Sequence, residues 1–461
     1  MEFTQEQIVA IYADNRTLLV SAAAGSGKTA VLVERIVRLV LEGDRLSRML
    51  IVTFTRAAAA EMKERLRRRL LECAPQAPER IDQALADLDT ADIGTIHSFC
   101  QRFLREEFQA VGIDPMSRVC RDDEGDRLFD ESARDALNAL LADDPAFPAF
   151  AARFTVAEIL AMVRRLYGFL MSMDAPFAWL GARIAEAEAE PVRGQAWMRA
   201  AEEDWKRGFL ALGPAFARYA AAMDDPRAVD SLRAAVDSDG EAVARAVETA
   251  RTVGPRQAAA LLPVRYARAA SVPKGDPDTE AWHKEWNGLR QALKDAVGDL
   301  RRRGEVLERG EDELARDGRQ IADSLRCLQR LTERTHAVFT ARKREERVID
   351  FTDMEQLTCA LLTDPDRPEY RERWADAFDH IFVDECQDVS RIQDSIIQAL
   401  QGDFTNLFLV GDVKQSIYRF RQADPTLFLG RIRSFSREKK ARERAVFLTR
   451  NFRSAGPVMT P

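Results

Sequence analysis

Cysteine and histidine are both scarce in this sequence, and neither forms a recognisable pattern. The six cysteines include no CxxC pair, and the four histidines lie far apart along the 461 residues. Zinc sites and disulfide frameworks need such residues at characteristic spacings, so neither is indicated. Unpaired cysteines are typical of proteins in a reducing cytoplasm, where we expect this protein to be located.

Long apolar runs and an excess of basic residues are also missing. No apolar stretch approaches the roughly 20 residues that cross a bilayer, and the N-terminus has no basic segment followed by an apolar one. The chain has 68 basic and 75 acidic residues, which gives a net charge of -7. The sequence therefore predicts a globular protein without a membrane partner. Any nucleic acid would have to bind a local patch, since a general positive field is absent.

The apolar segments that are present are short and uninterrupted. Four of them predict strands, at 17–20, 49–54, 380–385 and 406–412. Strands that are apolar throughout are typical of a parallel sheet covered by helices on both faces, so the expected fold class is α/β. Between about residues 121 and 345, Ala, Arg, Glu and Leu dominate, which predicts a large α-helical insertion.

A phosphate-binding loop is indicated directly after the first predicted strand. The segment AAAGSGKT fits the pattern GxxxxGK[ST] with alanine in place of the first glycine. Its residues are Ala22, Ala23, Ala24, Gly25, Ser26, Gly27, Lys28 and Thr29. The two glycines permit a tight turn whose amide groups converge on phosphate oxygens at a helix N-terminus. The alternative is an accidental glycine-rich turn, against which the preceding strand and following helical pattern argue.

Four polar residues, two in this loop and two at the end of the third predicted strand, suggest specific chemical roles. Lys28 would neutralise the β- and γ-phosphates of a nucleotide, and Thr29 would offer its hydroxyl to Mg²⁺. Asp384 follows an apolar strand and would hold the same ion, while Glu385 would act as the general base that activates water. Taken without the loop, this acidic pair would be better explained as a solvated strand end.

Six segments of the sequence resemble, in order, the motifs of superfamily 1 DNA helicases of the UvrD/RecB-like type. They are SAAAGSGKTAVLVERI, IVTFTRAAAAEMKERL, TIHSFC, VDECQD, LFLVGDVKQSIYRFRQADPTLF and LTRNFRS. Within that family, the first and fifth segments are most similar to AddA-type subunits of AddAB helicase-nucleases. VIDFTDME, at 348–355, is similar to the point where the family's motor domain resumes after the insertion.

The resemblance implies a P-loop NTPase fold of the RecA-like type. Residues 1–120 would form the first half of motor domain 1A, and 121–345 a helical insertion similar to domain 1B. Residues 346–461 would complete domain 1A and reach the start of a second motor domain. A chain length of this order also suggests about three units.

The resemblance further assigns nucleotide-binding roles. Gln7 would contact the adenine edge, and Phe452 would stack on adenine where relatives use tyrosine. Gln415 would sense the γ-phosphate, and Arg453 would contact it. Asp412 and Gln387 would tie these groups together by hydrogen bonds.

For DNA, the resemblance points to loops that follow the strands. The predicted contacts are Phe54 and Phe420 for base stacking, and Thr55, His97, Ser98 and Arg421 for the backbone. Taken alone, each phenylalanine would be better explained by core packing. Arg56 stands where the family usually has Asn, and Cys386 replaces a commoner aromatic residue. The basic runs at 63–71 and 437–445 are more typical of solvated helix faces.

The implied function is that of an ATP- and Mg²⁺-dependent DNA helicase moving 3′ to 5′ along single strands. It would act at duplex ends in double-strand break repair and recombination, as a heterodimer with an AddB-type protein. A second motor domain and a nuclease are missing from the sequence, so we expect an N-terminal fragment that hydrolyses ATP slowly. Two alternatives remain: a stand-alone UvrD-like repair helicase, and a non-catalytic DNA-binding subunit. Degenerate subunits of the second kind lose Lys28, Asp384 or Glu385, all present here.

Overall fold

A computed structural model describes most of the chain. The described residues are 3–23, 25–189, 194–262, 266, 276–307, 309–415, 423–450 and 452. No helix among them is long and apolar enough to cross a membrane.

Helices account for most of the secondary structure in the described residues. In chain order they are α1 (Gln5–Tyr12), α2 (Lys28–Glu42), α3 (Arg56–Cys73), α4 (Pro78–Asp87), α5 (Ile96–Glu106), α6 (Phe108–Val111), α7 (Asp122–Asp143), α8 (Phe147–Ala151), α9 (Val156–Leu170), α10 (Pro176–Ala189), α11 (Ala196–Ala221), α12 (Asp230–Thr252), α13 (Pro255–Ala259), α14 (Pro277–Leu307), α15 (Glu311–Glu345), α16 (Phe351–Leu362), α17 (Pro368–Ala375), α18 (Arg391–Leu400) and α19 (Pro425–Ser434).

The strands form two parallel sheets. They are β1 (Thr17–Ala22), β2 (Met49–Val52), β3 (Asp92–Gly94), β4 (Arg118–Val119), β5 (Val348–Ile349), β6 (His380–Val383), β7 (Asn406–Gly411) and β8 (Glu443–Leu448). Six of them make one sheet in the order β3-β2-β6-β7-β1-β8, and β4 pairs with β5 in the other. Every pair in the large sheet is parallel, so all its carboxyl ends meet at one edge.

Both faces of the large sheet are buried, which explains why its strands are apolar throughout. Leu18 and Val20 of β1 belong to a core formed with helices α1 to α4. Leu19, between them, points to the opposite face and joins a second core with α5 and α16 to α19. Alternate side chains of a strand face opposite sides of the sheet, so two covered faces require an unbroken apolar run. The predicted α/β fold with a helix-covered parallel sheet is confirmed.

The chain divides into two compact units. The first, called the sheet unit, comprises residues 1–180 and 327–461; the second, called the helical unit, comprises residues 181–326. The helical unit has its own core, in which Trp205, Phe209 and Trp286 are fully buried. The predicted three-part division, with boundaries near residues 120 and 345, stays a prediction.

Candidate active site

The loop between β1 and α2 has the backbone geometry of an anion site. Gly25 and Gly27 have φ values of 75° and 82°, in the left-handed region that favours glycine. A Cβ atom on Gly27 would also lie 2.8 Å from Nε2 of Gln7. Among the residues that the structure describes, no side chain caps α2, so its first N–H groups are available to a ligand. The hydroxyl of Ser26 is buried, and the described residues offer it no hydrogen-bond partner.

Lys28 and Glu385 meet across the carboxyl edge of the sheet. Nζ of Lys28 lies 2.9 Å from Oε2 of Glu385, and the two side chains are 11% and 34% exposed. Glu385 has φ 51° and ψ 43°, a left-handed conformation that is uncommon for a residue other than glycine. Such conformations cost about 1–3 kcal/mol and cluster at functional sites. The turn after β6 is therefore strained in a way that aims Glu385 at the phosphate loop.

Asp384 precedes this turn and is partly buried. Burial, together with the neighbouring charge of Glu385, raises the pKa of its carboxyl to about 6, while Lys28 acts in the opposite direction. Oδ1 of Asp384 accepts a 3.0 Å hydrogen bond from the N–H of Glu385.

The donors near this turn fit Mg²⁺. In the part of the chain that the structure describes, no group of three or more His, Cys, Asp or Glu residues could hold a metal ion. Mg²⁺ suits the site nonetheless, because it is usually held by one or two protein oxygens, substrate phosphates and water. Thr29 and Asp384 offer a hydroxyl and a carboxylate of the required kind.

A buried glutamine joins Glu385 to the end of β7. Nε2 of Gln387 donates to Oε2 of Glu385 at 2.9 Å, and its Oε1 accepts from the N–H of Asp412 at 2.9 Å. Oδ2 of Asp412 accepts in turn from Nε2 of Gln415 at 2.7 Å. A Cβ atom on Gly411 would lie 2.6 Å from Oε1 of Gln387, so glycine is needed there for this approach. The ends of β6 and β7 thus share one hydrogen-bond network.

Two residues assigned to adenine binding contact the phosphate loop. Gln7 is buried, forms a capping box with Thr4 and donates from Nε2 to the carbonyl oxygen of Ser26 at 2.9 Å. The backbone N–H of Phe452 donates to the carbonyl oxygen of Gly25 at 2.9 Å, and the Phe452 residue is 53% exposed. Both residues thus lie next to the phosphate loop, and their roles in adenine binding stay predictions.

A cavity of about 480 Å³ opens beside the same strand edge. Its lining includes Phe54, His97, Asp384 and Glu385, so two predicted DNA contacts share a space with the acidic pair. A second cavity, of about 490 Å³, shares some of its lining residues, among them Phe351. We call them the first and second cavities.

The other predicted DNA contacts are placed differently. Thr55 and Ser98 are exposed at the starts of α3 and α5. Oγ1 of Thr55 caps α3 by accepting from the N–H of Ala58 at 3.0 Å, and the Ser98 hydroxyl lies 2.9 Å from that of Thr95. Ala24, Phe420, Arg421 and Arg453 lie outside the described residues.

Phe351 and Glu355 line the first cavity and were not among the predicted site residues. Phe351 is 42% exposed, and its ring centroid lies 4.8 Å from that of His97 in an edge-on arrangement. Both residues belong to the segment VIDFTDME, whose similarity to the family was the signal that could have found them.

A family model and individual relatives both identify this chain as similar to helicases. Residues 1–436 match the family of the UvrD/REP helicase N-terminal domain. Curated relatives named as one subunit of an ATP-dependent helicase/nuclease include a protein from Alkaliphilus oremlandii, 33% identical over 99% of this chain and 38% of the relative. Others are from Staphylococcus aureus (31% identical; 99% and 38%) and Clostridium perfringens (30% identical; 98% and 37%). The chain thus spans less than two fifths of the length of these relatives.

Proposed function

Because the chain belongs to the UvrD/REP helicase N-terminal domain family, we propose that it is the nucleotide-binding motor portion of an ATP-dependent DNA helicase. The observation that carries this proposal is the 2.9 Å ion pair between Lys28 and Glu385. It joins the phosphate loop to the acidic turn after β6, the two parts that ATP hydrolysis needs in contact.

The ion pair also suggests how nucleotide binding prepares hydrolysis. Phosphate oxygens arriving at the loop compete with Glu385 for Lys28, because one ammonium cannot fully satisfy both. Once released, Glu385 is free to orient and deprotonate a water molecule, while Gln387 continues to hold one of its oxygens. When bound, Mg²⁺ would be held by Thr29 and Asp384 and would neutralise phosphate charge. Gln415, tied to Asp412, would report the state of the γ-phosphate.

The first cavity supports a role in gripping DNA. Phe54 and Phe351 could stack on bases, which is tolerant of sequence because every base has a flat face. His97 lines the same cavity, where it could contact a bound strand. We include Thr55 and Ser98 as exposed contacts at helix N-termini, where phosphate oxygens bind favourably.

The finer assignment is that of an AddA-type protein. Similarity extends over 98–99% of the chain to proteins named as one subunit of a helicase/nuclease, and a name of this form describes part of an assembly. We therefore propose 3′ to 5′ movement on single strands, entry at duplex ends during break repair, and an AddB-type partner. A stand-alone UvrD-like helicase is the second candidate, and copurification with a second protein of the AddB type would separate the two.

The proposal can be tested with one substitution and a matched control. Lys28→Ala should abolish binding of a fluorescent ATP analogue, because the loop loses its cation. Lys439→Ala removes an exposed lysine far along the chain and should leave binding unchanged. Nucleotide affinity that is equal in the two variants would contradict the proposed site. Failure of the unaltered chain to bind single-stranded DNA would contradict the helicase function.

A further inference from the structure

Glu355 is a buried carboxylate in the wall of the first cavity. Its side chain is 11% exposed, and its Oε1 atom lies 3.0 Å from Nε2 of His97. The same oxygen accepts a 2.6 Å hydrogen bond from Nε2 of Gln393. Burying a carboxylate is unfavourable unless its partners satisfy it, and an apolar side chain is often as stable in such a place. A carboxylate here therefore points to a role other than stability.

Gln393 is held in one orientation by the start of α18. Oγ of Ser390 accepts from the N–H of Gln393 at 3.4 Å, and Oε1 of Gln393 accepts from the N–H of Ser390 at 3.3 Å. Because the amide oxygen is engaged, the amide nitrogen is the atom that faces Glu355. The position of Glu355 is thus fixed from α18, which begins six residues after Glu385.

His97 is held by two side chains of one helix. Phe351 and Glu355 are four residues apart on α16 and so share a face of it. The ring of Phe351 meets the imidazole edge-on at 62°, and Glu355 faces its Nε2 atom. A carboxylate only accepts hydrogen bonds, so Nε2 carries a hydrogen. In the neutral ring Nδ1 is then an acceptor, which suits an N–H group of a base rather than a phosphate oxygen. The imidazole is 34% exposed, which leaves it within reach of a strand in the cavity.

We propose that Glu355 and Gln393 are positioning residues that hold the imidazole of His97 in the orientation in which it contacts single-stranded DNA. Neither residue needs to touch the DNA itself. The inference rests on the proposed function, since it names the residues that prepare one of its DNA contacts.

A double-mutant cycle tests this role directly. We would measure fluorescence anisotropy of a labelled single-stranded oligothymidylate with the full chain at one fixed salt concentration. His97→Ala should weaken Kd about tenfold, which corresponds to about 1.4 kcal/mol. Glu355→Ala should weaken it by a similar factor, and the double variant should bind no more weakly than His97→Ala. If the fold-changes in Kd of the two single variants multiply in the double variant, the proposal is overturned, because the two residues would then act independently.

Conservative variants separate position from charge. Glu355→Gln keeps the Oε1 acceptor for His97 and should bind within about twofold of the unaltered chain, below the size of one lost hydrogen bond. A loss as large as that of Glu355→Ala would overturn the positioning role, because charge would be what Glu355 supplies. Gln393→Leu retains Glu355 and His97 but removes the hydrogen bond from Gln393, so its Kd should lie between those of Glu355→Gln and Glu355→Ala. If Glu355→Ala does not fold, Gln393→Leu becomes the deciding variant, because an unchanged affinity would then refute the proposal.

The matched control is a second buried carboxylate next to α5. Glu107 is 7% exposed and accepts a 2.7 Å hydrogen bond from Nε1 of Trp374, outside the first cavity. Glu107→Ala should lose thermal stability yet keep its DNA affinity per folded molecule. An equal loss of affinity in this variant would show that general destabilisation explains the effect. If the unaltered chain binds DNA but His97→Ala and Glu355→Ala match it, only the positioning role fails.

Discussion

The sheet unit and the helical unit both bury charged side chains, but they place them differently. In the sheet unit, the largely buried Lys28 pairs with the half-buried Glu385 at the strand edge, and Glu385 and the buried Glu355 line the first cavity. In the helical unit, Arg290 and Asp239 pair at 3.0 Å with side chains only 7% and 2% exposed. The comparison teaches that buried charge does not by itself mark a site. What marks one is buried charge that borders a cavity and joins several strand ends.

The strongest test of this comparison is at Glu385. Glu385→Gln should slow ATP hydrolysis by a factor on the order of 10² to 10⁴, the usual contribution of a general base. Nucleotide binding should persist or become tighter, because Lys28 is no longer paired with a carboxylate. Steady-state turnover and binding of a fluorescent ATP analogue would measure the two effects.

The control for this variant is an exposed acidic residue of the same unit. Glu369→Gln on α17 should change neither quantity. Unimpaired hydrolysis in Glu385→Gln would remove the general-base assignment, whatever its effect on binding.

The next largest effect is expected at Lys343, a buried cation of the sheet unit. Its Nζ atom lies 2.7 Å from carboxylate oxygens of both Asp350 and Asp353, and the side chain is 2% exposed. Lys343→Met should destabilise the fold by about 3–5 kcal/mol, because two partly buried carboxylates lose their buried cation. It should also weaken DNA binding per folded molecule, since Asp350 caps the helix that carries Phe351.

Chemical denaturation and oligonucleotide binding would measure the two effects of Lys343→Met. Arg344→Met, at the exposed neighbouring position, provides the control and should cost little in either measurement. A stable variant would mean that the two carboxylates do not need this cation.

Removing a buried cation from the helical unit should also lower stability, but it should leave nucleotide and DNA binding unchanged. Arg290→Met should cost about 3 kcal/mol, because Asp239, still bonded to the Tyr219 hydroxyl, would stay buried without its cation. Adding Asp239→Leu should recover most of that stability, because an apolar pair of similar volume removes the uncompensated charge. Denaturation would measure stability, and nucleotide and DNA affinities should be unaltered in both variants. Reduced affinity in the recovered double variant would give this pair a role in binding and break the comparison.

The smallest effect concerns the pH dependence of stability. Burial lowers the pKa of His336, and the charge of Lys343 lowers it further. The unfolded chain therefore takes up a proton at higher pH than the folded chain does. Stability is fully present above pH 6.5 and is lost as pH falls below it, by at most about 1.4 kcal/mol per pH unit. His336→Gln should reduce this loss of stability, as measured by denaturation at several pH values between 5 and 7. An unchanged slope of stability against pH would contradict the prediction.

Much of the fold could be predicted because its signals are local. The four predicted strands correspond to β1, β2, β6 and β7, and three of them were predicted one or two residues too long. Their apolar runs follow from a sheet covered on both faces. Two strands of the large sheet were missed. β3 has three residues, and β8 begins inside the basic run at 437–445.

That second basic run corrects the expectation of a solvated helix face. Only the first run, at 63–71, lies in a helix. Ala445, at the end of the second, is buried in β8 beside Val446. Charge density alone could not reveal this edge strand, because its partner β1 is more than 400 residues earlier in the chain.

The candidate site was predictable only where a motif carried it. Lys28 and Glu385 were found from their spacing and chemistry, and the structure brings them together. Gln393 carries no such pattern, and Glu355 lies in the segment VIDFTDME, whose similarity to the family does not single it out. Both residues belong to helices that approach His97 only in the folded chain. Their hydrogen bonds depend on side-chain geometry that no local sequence signal records.

The strand order of the large sheet also has a consequence for protein synthesis. β1 lies between β7 and β8, so both of its neighbours are made about 380 residues or more after it. At roughly 5–20 residues per second, translation leaves β1 without either neighbour for roughly 20–80 s. During that interval its apolar residues and unpaired backbone are exposed beside the ribosome, where strand edges are prone to aggregate. We therefore expect the yield of folded chain to depend on chaperones that cover the nascent N-terminal segment.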